Sequence, residues 1–463
     1  MPALLPEEPL TSLDAYVDSF DGGQGLVRAR ELGPDAVVDV VDRSGLRGRG
    51  GAGFPTARKW ASIRAGGPGV GARYVVANGA EGEPGTFKDR MLMRRNPYQV
   101  VEGLEIAATA IGASGAYLAV KASFGPEIEA LSRALREMSD AGLVGTVPMS
   151  LVTGPEEYLF GEEKALLEVI EGEDPLPRLF PPYIHGLFAT SPQMGWSASV
   201  GRFPDGSSVP GANPTLVNNV ETLAAVVPIL GRGAEWHRSL GTSESPGVGI
   251  CTVVGDVRHA GVAEIELGGS LRSVIDRIGG GPRAGRRVKA VLSGVSNGVV
   301  HFRDLDAPVT YEGLASVGSG LGSLGFIVYD DTADMVAVAR MASRFLYVES
   351  CGQCPACKFG TGEVTAYLDR IATNKGVDHD IELIEARLTS VIDANRCYLG
   401  TEEQNIIGSI LRSFPEEFAA HLEGAPAAAE IPVPKIVDIV AGRATFDDRQ
   451  ARKRPDWTYA DHA

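Results

Sequence analysis

Four of the five cysteines form one constellation in the last quarter of the chain. Cys351, Cys354 and Cys357 make a C-x2-C-x2-C run, and Cys397 follows alone. Three thiolates spaced this closely suit the corners of an iron–sulfur cube, with a remote cysteine as the fourth ligand. Structural zinc sites more often present two separated C-x2-C pairs. The run therefore predicts a [4Fe–4S] cluster, with a four-cysteine zinc site or a chance group of thiols as the alternatives.

A second candidate site is the glycine-rich stretch SGLRGRGGAGFPTARKW at residues 44–60, which holds five glycines between Gly45 and Gly53. Its basic residues are Arg47, Arg49, Arg58 and Lys59. Glycines let a backbone approach a ligand with its N–H groups exposed, and nearby cations favour a phosphate. The pattern matches neither a dinucleotide fingerprint nor a P-loop. It indicates phosphate binding, with an ordinary surface loop as the alternative.

Three further segments concentrate polar side chains: ANGAEGEPGTFKDR (77–90), EEYLFGEEK (156–164) and NPTLVNNVETL (213–223). Their polar residues include Asn78, Glu81, Glu83, Lys88, Asp89, Glu162, Glu163, Asn218, Asn219 and Glu221. Such groups can accept hydrogen bonds from ribose hydroxyls or flavin N–H groups. Acidic residues and asparagines at helix starts also stabilise the helix itself, so a capping role is the alternative.

The elements that must position these residues begin with an alternation of strand-like and helix-like segments. YVVAN (74–78), AYLAVK (116–121) and MSLVTG (149–154) read as strands, with helix-like segments at 97–111 and 126–138. This alternation predicts a parallel sheet, and ligands of such sheets lie outside the carboxyl ends of the strands. The loop after Asn78 and the glycine-rich stretch before Tyr74 should therefore border the ligand.

The rest of the chain predicts two smaller units and a tail. Short strands around one helix-like segment between 246 and 331 indicate an α+β unit, which we interpret as a spacer. After 331, four apolar faces at helical spacing predict a bundle, with the three-cysteine run between the first two helices and Cys397 between the last two. Beyond 424, alanine and proline predict an extended segment that lies along this protein or a partner, or is disordered.

Composition limits the function classes. The chain has 463 residues, a formal net charge of -16, 44% hydrophobic residues and 22% charged residues, which is typical of a soluble globular protein with several domains. The negative charge argues against binding nucleic acid or an anionic membrane surface. The acidic N-terminus is unlike a signal peptide, and no apolar run approaches the ~20 residues of a membrane span. We therefore expect a cytoplasmic protein whose partners are proteins or small molecules.

Six motifs in order resemble the flavin-carrying, NADH-oxidising subunit of respiratory complex I and the related diaphorase subunits of NAD-linked hydrogenases and formate dehydrogenases. They are SGLRGRGGAGFPTxxKW, EGEPGTxKDR, Tyr-x-x-Gly-Glu-Glu, PRLxPPY, NNVETL and ESCGQCxxC. The resemblance implies a Rossmann-like α/β FMN domain, a β-grasp (ubiquitin-like) domain and a four-helix bundle carrying the cluster. The expected parts are an N-terminal extension (1–44), the FMN- and NADH-binding domain (45–245), the β-grasp domain (246–331), the [4Fe–4S] domain (332–424) and an extended tail (425–463).

The resemblance also implies roles for individual residues, and none of them is an acid–base catalyst. The FMN-phosphate loop would be Gly48, Arg49, Gly50 and Gly51. The rest of the flavin pocket would be Lys59, Asn78, Glu81, Tyr158, Gly161, Glu162, Asn218 and Asn219. NADH would contact the aromatic residues Phe54 and Tyr183 and the acidic residues Glu83 and Glu163. The cluster ligands would be Cys351, Cys354, Cys357 and Cys397.

In that family NADH reduces FMN by hydride transfer, and electrons leave singly through the cluster to partner subunits. The partners implied are a thioredoxin-like [2Fe–2S] subunit and a larger multi-cluster subunit, so the protein would be cytoplasmic or peripheral on the inner face of the membrane. The chain departs from the family at Ala80, Ser62 and Phe180, and by an insertion at 189–211. Two alternatives follow: an FMN and [4Fe–4S] electron-transfer subunit with lost or altered NADH use, and a zinc-stabilised, non-redox interaction module.

Overall fold

A parallel four-stranded sheet forms the centre of the N-terminal half of the protein. The computed structural model describes residues 2–65, 71–190 and 211–460. The strands are β1 (Tyr74–Asn78), β2 (Gly115–Lys121), β3 (Met149–Gly154) and β4 (Thr215–Asn219), in the order β3-β2-β1-β4. All neighbouring pairs are parallel. The chain direction across the sheet reverses between β1 and β4, so the crevice outside their carboxyl ends is the expected ligand site.

Helices cover both faces of this sheet. They are α1 (Leu13–Phe20), α2 (Gln24–Leu32), α3 (Pro34–Ser44), α4 (Thr56–Arg64), α5 (Lys88–Arg95), α6 (Pro97–Ile111), α7 (Gly125–Asp140), α8 (Glu163–Ile170), α9 (Val220–Arg232) and α10 (Ala234–Arg238). Alternate strand residues face opposite layers. Val75 therefore packs with α6 and α9, while Val76 packs with Phe160 and Leu166 on the other face. Tyr16 of α1 is buried in the same core as Val75, so the N-terminal helices share the core of this sheet.

The middle of the chain forms a second, mixed sheet. Its strands are β5 (Val248–Gly255), β6 (Gly261–Glu266), β7 (Val288–Ser293), β8 (Val300–His301) and β9 (Gly325–Asp330), in the order β6-β5-β9-β7-β8. The central pair β5 and β9 is parallel and the other pairs are antiparallel. Two helices belong to this unit, α11 (Leu271–Gly279) and α12 (Tyr311–Ser316). Leu271 and Ile275 of α11 pack onto the sheet, which is the arrangement of a β-grasp.

Five helices follow in the described residues: α13 (Met335–Glu349), α14 (Pro355–Ala372), α15 (His379–Ser390), α16 (Leu399–Ser413) and α17 (Pro415–Leu422). The apolar spacing predicted the first four, and α17 is additional. Phe345, Leu368, Ile384 and Ile406 are buried together where these helices pack. None of the helices in the described residues is long and apolar enough to cross a membrane.

The described part of the tail, residues 425–460, lies along this protein and is called the strap below. It contains a hairpin of two antiparallel strands, β10 (Ile436–Val440) and β11 (Arg443–Phe446). The strap makes a salt bridge from Asp438 to Arg94, a backbone hydrogen bond from Ala260 to Gly442, and a fully buried salt bridge from Lys453 to Glu349. These contacts join it to the first sheet domain, the β-grasp unit and the C-terminal helices.

Candidate functional site

The glycine-rich stretch forms a closed loop immediately before helix α4. The N–H of Gly48 donates to the carbonyl of Phe54 at 2.9 Å, and the N–H of Arg49 donates to the hydroxyl of Thr222 at 2.8 Å. Gly50 and Ala52 are exposed between these anchors, and their N–H groups have no acceptor within the described part of the chain. Free backbone N–H groups beside a helix N-terminus form a cradle suited to an anion such as a phosphate.

The side chain of Arg49 has a different role from the one that the sequence predicts. Its guanidinium is buried and donates to the carbonyls of Val248 at 2.8 Å and Pro246 at 3.4 Å, and to the hydroxyl of Tyr311 at 3.3 Å. The guanidinium of Arg47 stacks on the Tyr311 ring, 3.8 Å from its centroid. Both arginines therefore fasten the loop to the β-grasp unit, and the loop offers a ligand its backbone.

Predicted flavin contacts meet at the carboxyl ends of β1 and β4. The side-chain amide of Asn78 donates to the carbonyl of Gly161 at 2.8 Å. Asn218 accepts a hydrogen bond from the indole N–H of Trp60 in α4 at 2.8 Å. The structure thus brings the β1 end, the β4 end, α4 and the segment before α8 together around one crevice.

Asn219 belongs to a buried polar network that the sequence did not predict. Lys88 is fully buried, and its amine lies 2.7 Å from Asp89, 2.7 Å from Glu221 and 3.3 Å from the Asn219 side-chain oxygen. Burial alone lowers the pKa of an amine, but the charges of Asp89 and Glu221 outweigh it and raise the pKa of Lys88. Glu221 also accepts from the N–H of Ile250 in β5 at 2.9 Å. The only available signal was the pair of motifs KD and NNVE, whose contact depends on the tertiary fold.

Two predicted ligand contacts serve as helix caps. Glu81 accepts from the N–H groups of Asp89 and Arg90 at the start of α5, at 3.0 and 3.3 Å. Glu162 accepts from the N–H groups of Lys164 and Ala165 at the start of α8, at 2.9 and 3.0 Å. Burial raises the pKa of each carboxyl to about 7. Capping and ligand contact are compatible, since each carboxylate has more acceptor sites than the caps use.

The two predicted lysine and glutamate contacts beside α8 are paired with each other. The amine of Lys59 lies 2.6 Å from the carboxylate of Glu163, and both side chains are partly exposed. Ser62, one turn further along α4, donates its hydroxyl to the carbonyl of Lys59 at 2.8 Å. This polar pair borders the crevice and is open to a ligand.

The predicted nucleotide-stacking aromatics lie at different places. Phe54 and Tyr183 are both about half exposed. The carbonyl of Pro182 accepts from the N–H of Thr215, the first residue of β4, at 2.9 Å. Tyr183 is therefore close to the opposite end of β4 from Asn218 and Asn219, and the structure does not bring it to their edge.

The departures from the family also have defined surroundings. Phe180 is buried, with its ring centroid 6.2 Å from that of His185, so no cation occupies this position. Ala80 is buried beside Gly161, where an added Cβ would lie 3.2 Å from the Ala80 carbonyl oxygen. Residues 191–210, most of the predicted insertion, lie outside the described residues.

The four predicted metal ligands line a single cavity of about 280 Å³. Cys351 and Cys354 precede α14, Cys357 is in its first turn, and Cys397 lies between α15 and α16. In the described chain, no three His, Cys, Asp or Glu side chains converge on one metal ion. A zinc site needs four sulfurs around one atom, whereas each thiolate of a cubane binds its own corner iron. The wider spacing of the thiols therefore fits the cubane better than zinc.

The surroundings of the thiols suit a bound cluster. The N–H of Arg396 donates to the sulfur of Cys354 at 3.3 Å, and the Ser350 hydroxyl lies 3.3 Å from the sulfur of Cys357. Hydrogen bonds to cluster sulfurs tune the reduction potential. Burial raises the pKa of the Cys357 thiol to about 11, so a metal is needed to hold it as a thiolate.

Glu403 of α16 gives a prediction about pH. Its carboxyl is fully buried, accepts from the Ser343 hydroxyl at 2.6 Å, and has one oxygen without a hydrogen-bond partner in the described residues. Burial raises the pKa of Glu403 from 4.5 to about 8. Because the folded protein then binds more protons than the unfolded chain, this group makes stability fall as pH rises from 4.5 through 8.

We therefore expect Glu403→Gln to unfold at higher urea concentration than the unmodified protein at pH 8, with a smaller difference near pH 5. Glutamine keeps the acceptor for Ser343 and cannot ionise. Urea unfolding of both proteins across this pH range tests the prediction. A difference between the two proteins that does not change with pH would contradict it.

A ligand crevice on a parallel α/β sheet, a β-grasp unit and a helical four-cysteine site together define a flavoprotein subunit with an iron–sulfur centre. Sequence profiles agree: residues 41–228 match the Nuo51 FMN-binding domain, and residues 337–421 match the NADH-ubiquinone oxidoreductase-F iron-sulfur binding region. The zinc-module alternative is not supported by these matches.

Similar proteins extend over most of the chain. The second NADH-quinone oxidoreductase F protein of Rhizobium meliloti (strain 1021) is 36% identical over 424 residues, covering 88% of this chain and 94% of the relative. NADP-reducing hydrogenase subunit HndC of Solidesulfovibrio fructosivorans is 34% identical, covering 91% of this chain and 82% of the relative. A chain in the crystal structure of an air-oxidised NAD+-reducing [NiFe]-hydrogenase superposes with a TM-score of 0.74 at 32% identity, covering 89% of this chain and 67% of that chain. This protein belongs to the NADH-quinone oxidoreductase-F family.

Proposed function

We propose that this chain is the NADH-oxidising subunit of a larger assembly, in which NADH reduces FMN and electrons continue through a [4Fe–4S] cluster. One observation carries the proposal. The short 3-10 helix Tyr158–Gly161 contacts both sites, because the carbonyl of Gly161 accepts from Asn78 and Leu159 lines the cysteine cavity. The site of electron entry and the site of electron exit thus share one four-residue segment.

The chain's residues would divide the binding of FMN between backbone and side chains. FMN supplies hydride acceptance and single-electron release, and the protein supplies position and electrostatics. The backbone of Gly48, Arg49, Gly50 and Gly51 would hold the phosphate. Lys59, Asn78, Glu81, Tyr158, Gly161, Glu162, Asn218 and Asn219 would surround the rest of the flavin. The exposed ring of Phe54, with Tyr183, Glu83 and Glu163, would meet the nucleotide.

Cys351, Cys354, Cys357 and Cys397 would hold the cluster and join two helix connections at one end of the C-terminal helices. The five-part division of the chain given above goes with this proposal, although the N-terminal helices share the core of the first sheet. The strap would keep the flavin domain and the cluster domain in fixed contact, since Lys453 binds Glu349 two residues before the first cluster ligand.

A partner subunit must accept the electrons. The chain has five cysteines, so it cannot build a second four-cysteine cluster. We propose a thioredoxin-like [2Fe–2S] subunit and a larger multi-cluster subunit as partners, with the assembly cytoplasmic or peripheral on the inner face of the membrane. The related proteins are likewise named as subunits.

A second candidate keeps both cofactors and replaces NADH by another electron donor. It is favoured by Phe180, which is buried against His185 at the position where a lysine would meet the nucleotide. A charge-assisted hydrogen bond to phosphate is among the stronger single contacts, and a phenyl ring cannot make it.

Gly50→Val tests the phosphate cradle. A Cβ at Gly50 would lie 3.3 Å from the Cβ of Asn219, and the branched side chain would fill the space in front of the free N–H groups. We expect FMN affinity to fall about tenfold or more, or by at least ~1.4 kcal/mol, with iron content unchanged. Fluorescence of FMN released by acid measures flavin per chain.

Gly125→Val is the matched control, since a Cβ there meets no atom within 4 Å. It should retain flavin and iron. Full flavin content in Gly50→Val would contradict the assignment of the loop to the phosphate, while leaving the cluster assignment in place.

A further inference from the structure

Three side chains from three parts of the fold meet between the flavin crevice and the cysteine cavity. The hydroxyl oxygen of Tyr158 lies 2.5 Å from Glu83 Oε2 and 3.2 Å from Glu402 Oε1. Glu83 is in the loop after β1, Tyr158 precedes α8, and Glu402 is in the first turn of α16. Glu402 was not among the residues that the sequence singled out, because an acidic residue in a first helical turn is ordinary.

Counting protons shows that the three groups cannot be a phenol between two carboxylates. A phenol has one O–H and can donate one full hydrogen bond at a time. Two ionised carboxylates at hydrogen-bond distance from one phenol oxygen would leave one of them without a donor. A buried carboxylate with no donor is strongly unfavourable, so one of the two carboxyl groups carries a proton.

The surroundings place that proton on Glu402. Glu83 has its own donors, because the N–H of Val295 donates to its Oε1 at 2.7 Å and Ser296 also hydrogen-bonds to it. Glu402 is buried, its Oε2 has no partner in the described residues, and no cation is among the charges that act on it. Burial and then the charge of Glu83 raise the pKa of Glu402 well above its ordinary value.

We propose that Glu402 is a protonated carboxylic acid whose proton moves through Tyr158 to Glu83 when an anionic ligand binds beside Glu83. In the resting chain, Glu402 donates to the Tyr158 oxygen, and Tyr158 donates to the carboxylate of Glu83. In the shift, the Glu402 O–H bond breaks as a new Tyr158 O–H bond forms, and the old Tyr158 O–H bond breaks as a Glu83 O–H bond forms. The number of protons and electrons in the chain is unchanged.

The consequence is a movement of one negative charge from Glu83 to Glu402. A dinucleotide carries a diphosphate, and a neutral Glu83 repels it less than a carboxylate does. The departing charge comes to rest on α16, which begins two residues after Cys397. The inference rests on the proposed nucleotide function for its trigger, but not for the resting position of the proton.

Infrared spectroscopy of the oxidised protein with its cofactors bound tests the resting position. A protonated carboxyl has a C=O stretch that is distinct from carboxylate bands and shifts in D2O. We expect Glu402→Gln to lose one such band and Tyr158→Phe to displace it, since the acid loses its acceptor. Glu403→Gln is the matched control on the next residue and should lose a different band. A Glu402→Gln spectrum that superimposes on that of the unmodified protein would overturn the proposal.

Adding NAD+, which cannot reduce the flavin, tests the shift. We expect the Glu402 band to be replaced by a new carboxylic acid band, and Glu402→Gln should show no such replacement. NAD+ that perturbs the flavin absorbance and leaves the Glu402 band unchanged would overturn the shift. NAD+ that does not bind at all would contradict the proposed nucleotide function, and the Glu402→Gln spectrum would then decide the position of the proton alone.

Discussion

Cys397→Ser is expected to remove the [4Fe–4S] cluster while leaving the flavin site intact. Cys397 is the one ligand supplied by the connection between α15 and α16, so its loss leaves a corner iron without a thiolate. Iron should fall from about four per chain to near zero. FMN content should stay unchanged because the flavin residues lie on other elements. Chemical analysis of iron and sulfide, with electron paramagnetic resonance after dithionite reduction, measures the result.

Cys251→Ala is the matched control for Cys397→Ser. Cys251 is buried in β5, away from the cysteine cavity, and should behave as a small core residue. The control protein should keep its full iron content. A complete cubane signal in Cys397→Ser would show that another residue is the fourth ligand, and equal iron loss in both variants would show that iron is lost through general destabilisation.

The second large effect is expected from Lys88→Met. The lysine side chain is fully buried between Asp89 and Glu221, and removing it leaves two buried carboxylates that have lost their cation. Breaking a buried ion pair in this way costs about 3–5 kcal/mol. Asn219 loses a neighbour in the same step, so weaker flavin binding should accompany the loss of stability. Urea unfolding of the protein with cofactors bound measures the free energy of unfolding.

Lys289→Met is the control for the burial argument. The salt bridge of Lys289 with Glu417 has a similar length of 2.6 Å, but both side chains are partly exposed. Exposed pairs contribute about 1 kcal/mol or less. Equal destabilisation by the two variants would contradict the view that burial makes the Lys88 network costly to break.

The cysteine run and the first three strands could be predicted from sequence because local chemistry determines them. Metal ligation constrains the spacing of Cys351, Cys354 and Cys357, and an apolar run such as YVVAN has few uses other than a buried strand. Helix α6 was predicted at 97–111, which is where it is found. The β4 strand was missed because its last residues, Asn218 and Asn219, resemble a helix cap, and its pairing with β1 is remote in sequence.

Other features depend on tertiary contacts that one sequence does not encode locally. The guanidinium of Arg49 is taken up by carbonyls of the β-grasp side, which no property of the glycine-rich stretch indicates. The strap reads as an alanine- and proline-rich tail, but its buried lysine, Lys453, finds Glu349 across the fold. Glu402 had no signal at all, since its significance comes from Tyr158 alone.

Anaerobic titration of the purified protein with NADH tests the central claim most directly. The account predicts that NADH bleaches the flavin absorbance band and that a reduced-cluster signal then appears in electron paramagnetic resonance. The first change reports hydride transfer to FMN, and the second reports electrons at the four cysteines. Flavin that stays oxidised under excess NADH, yet is bleached by dithionite, would contradict the account and favour a different electron donor.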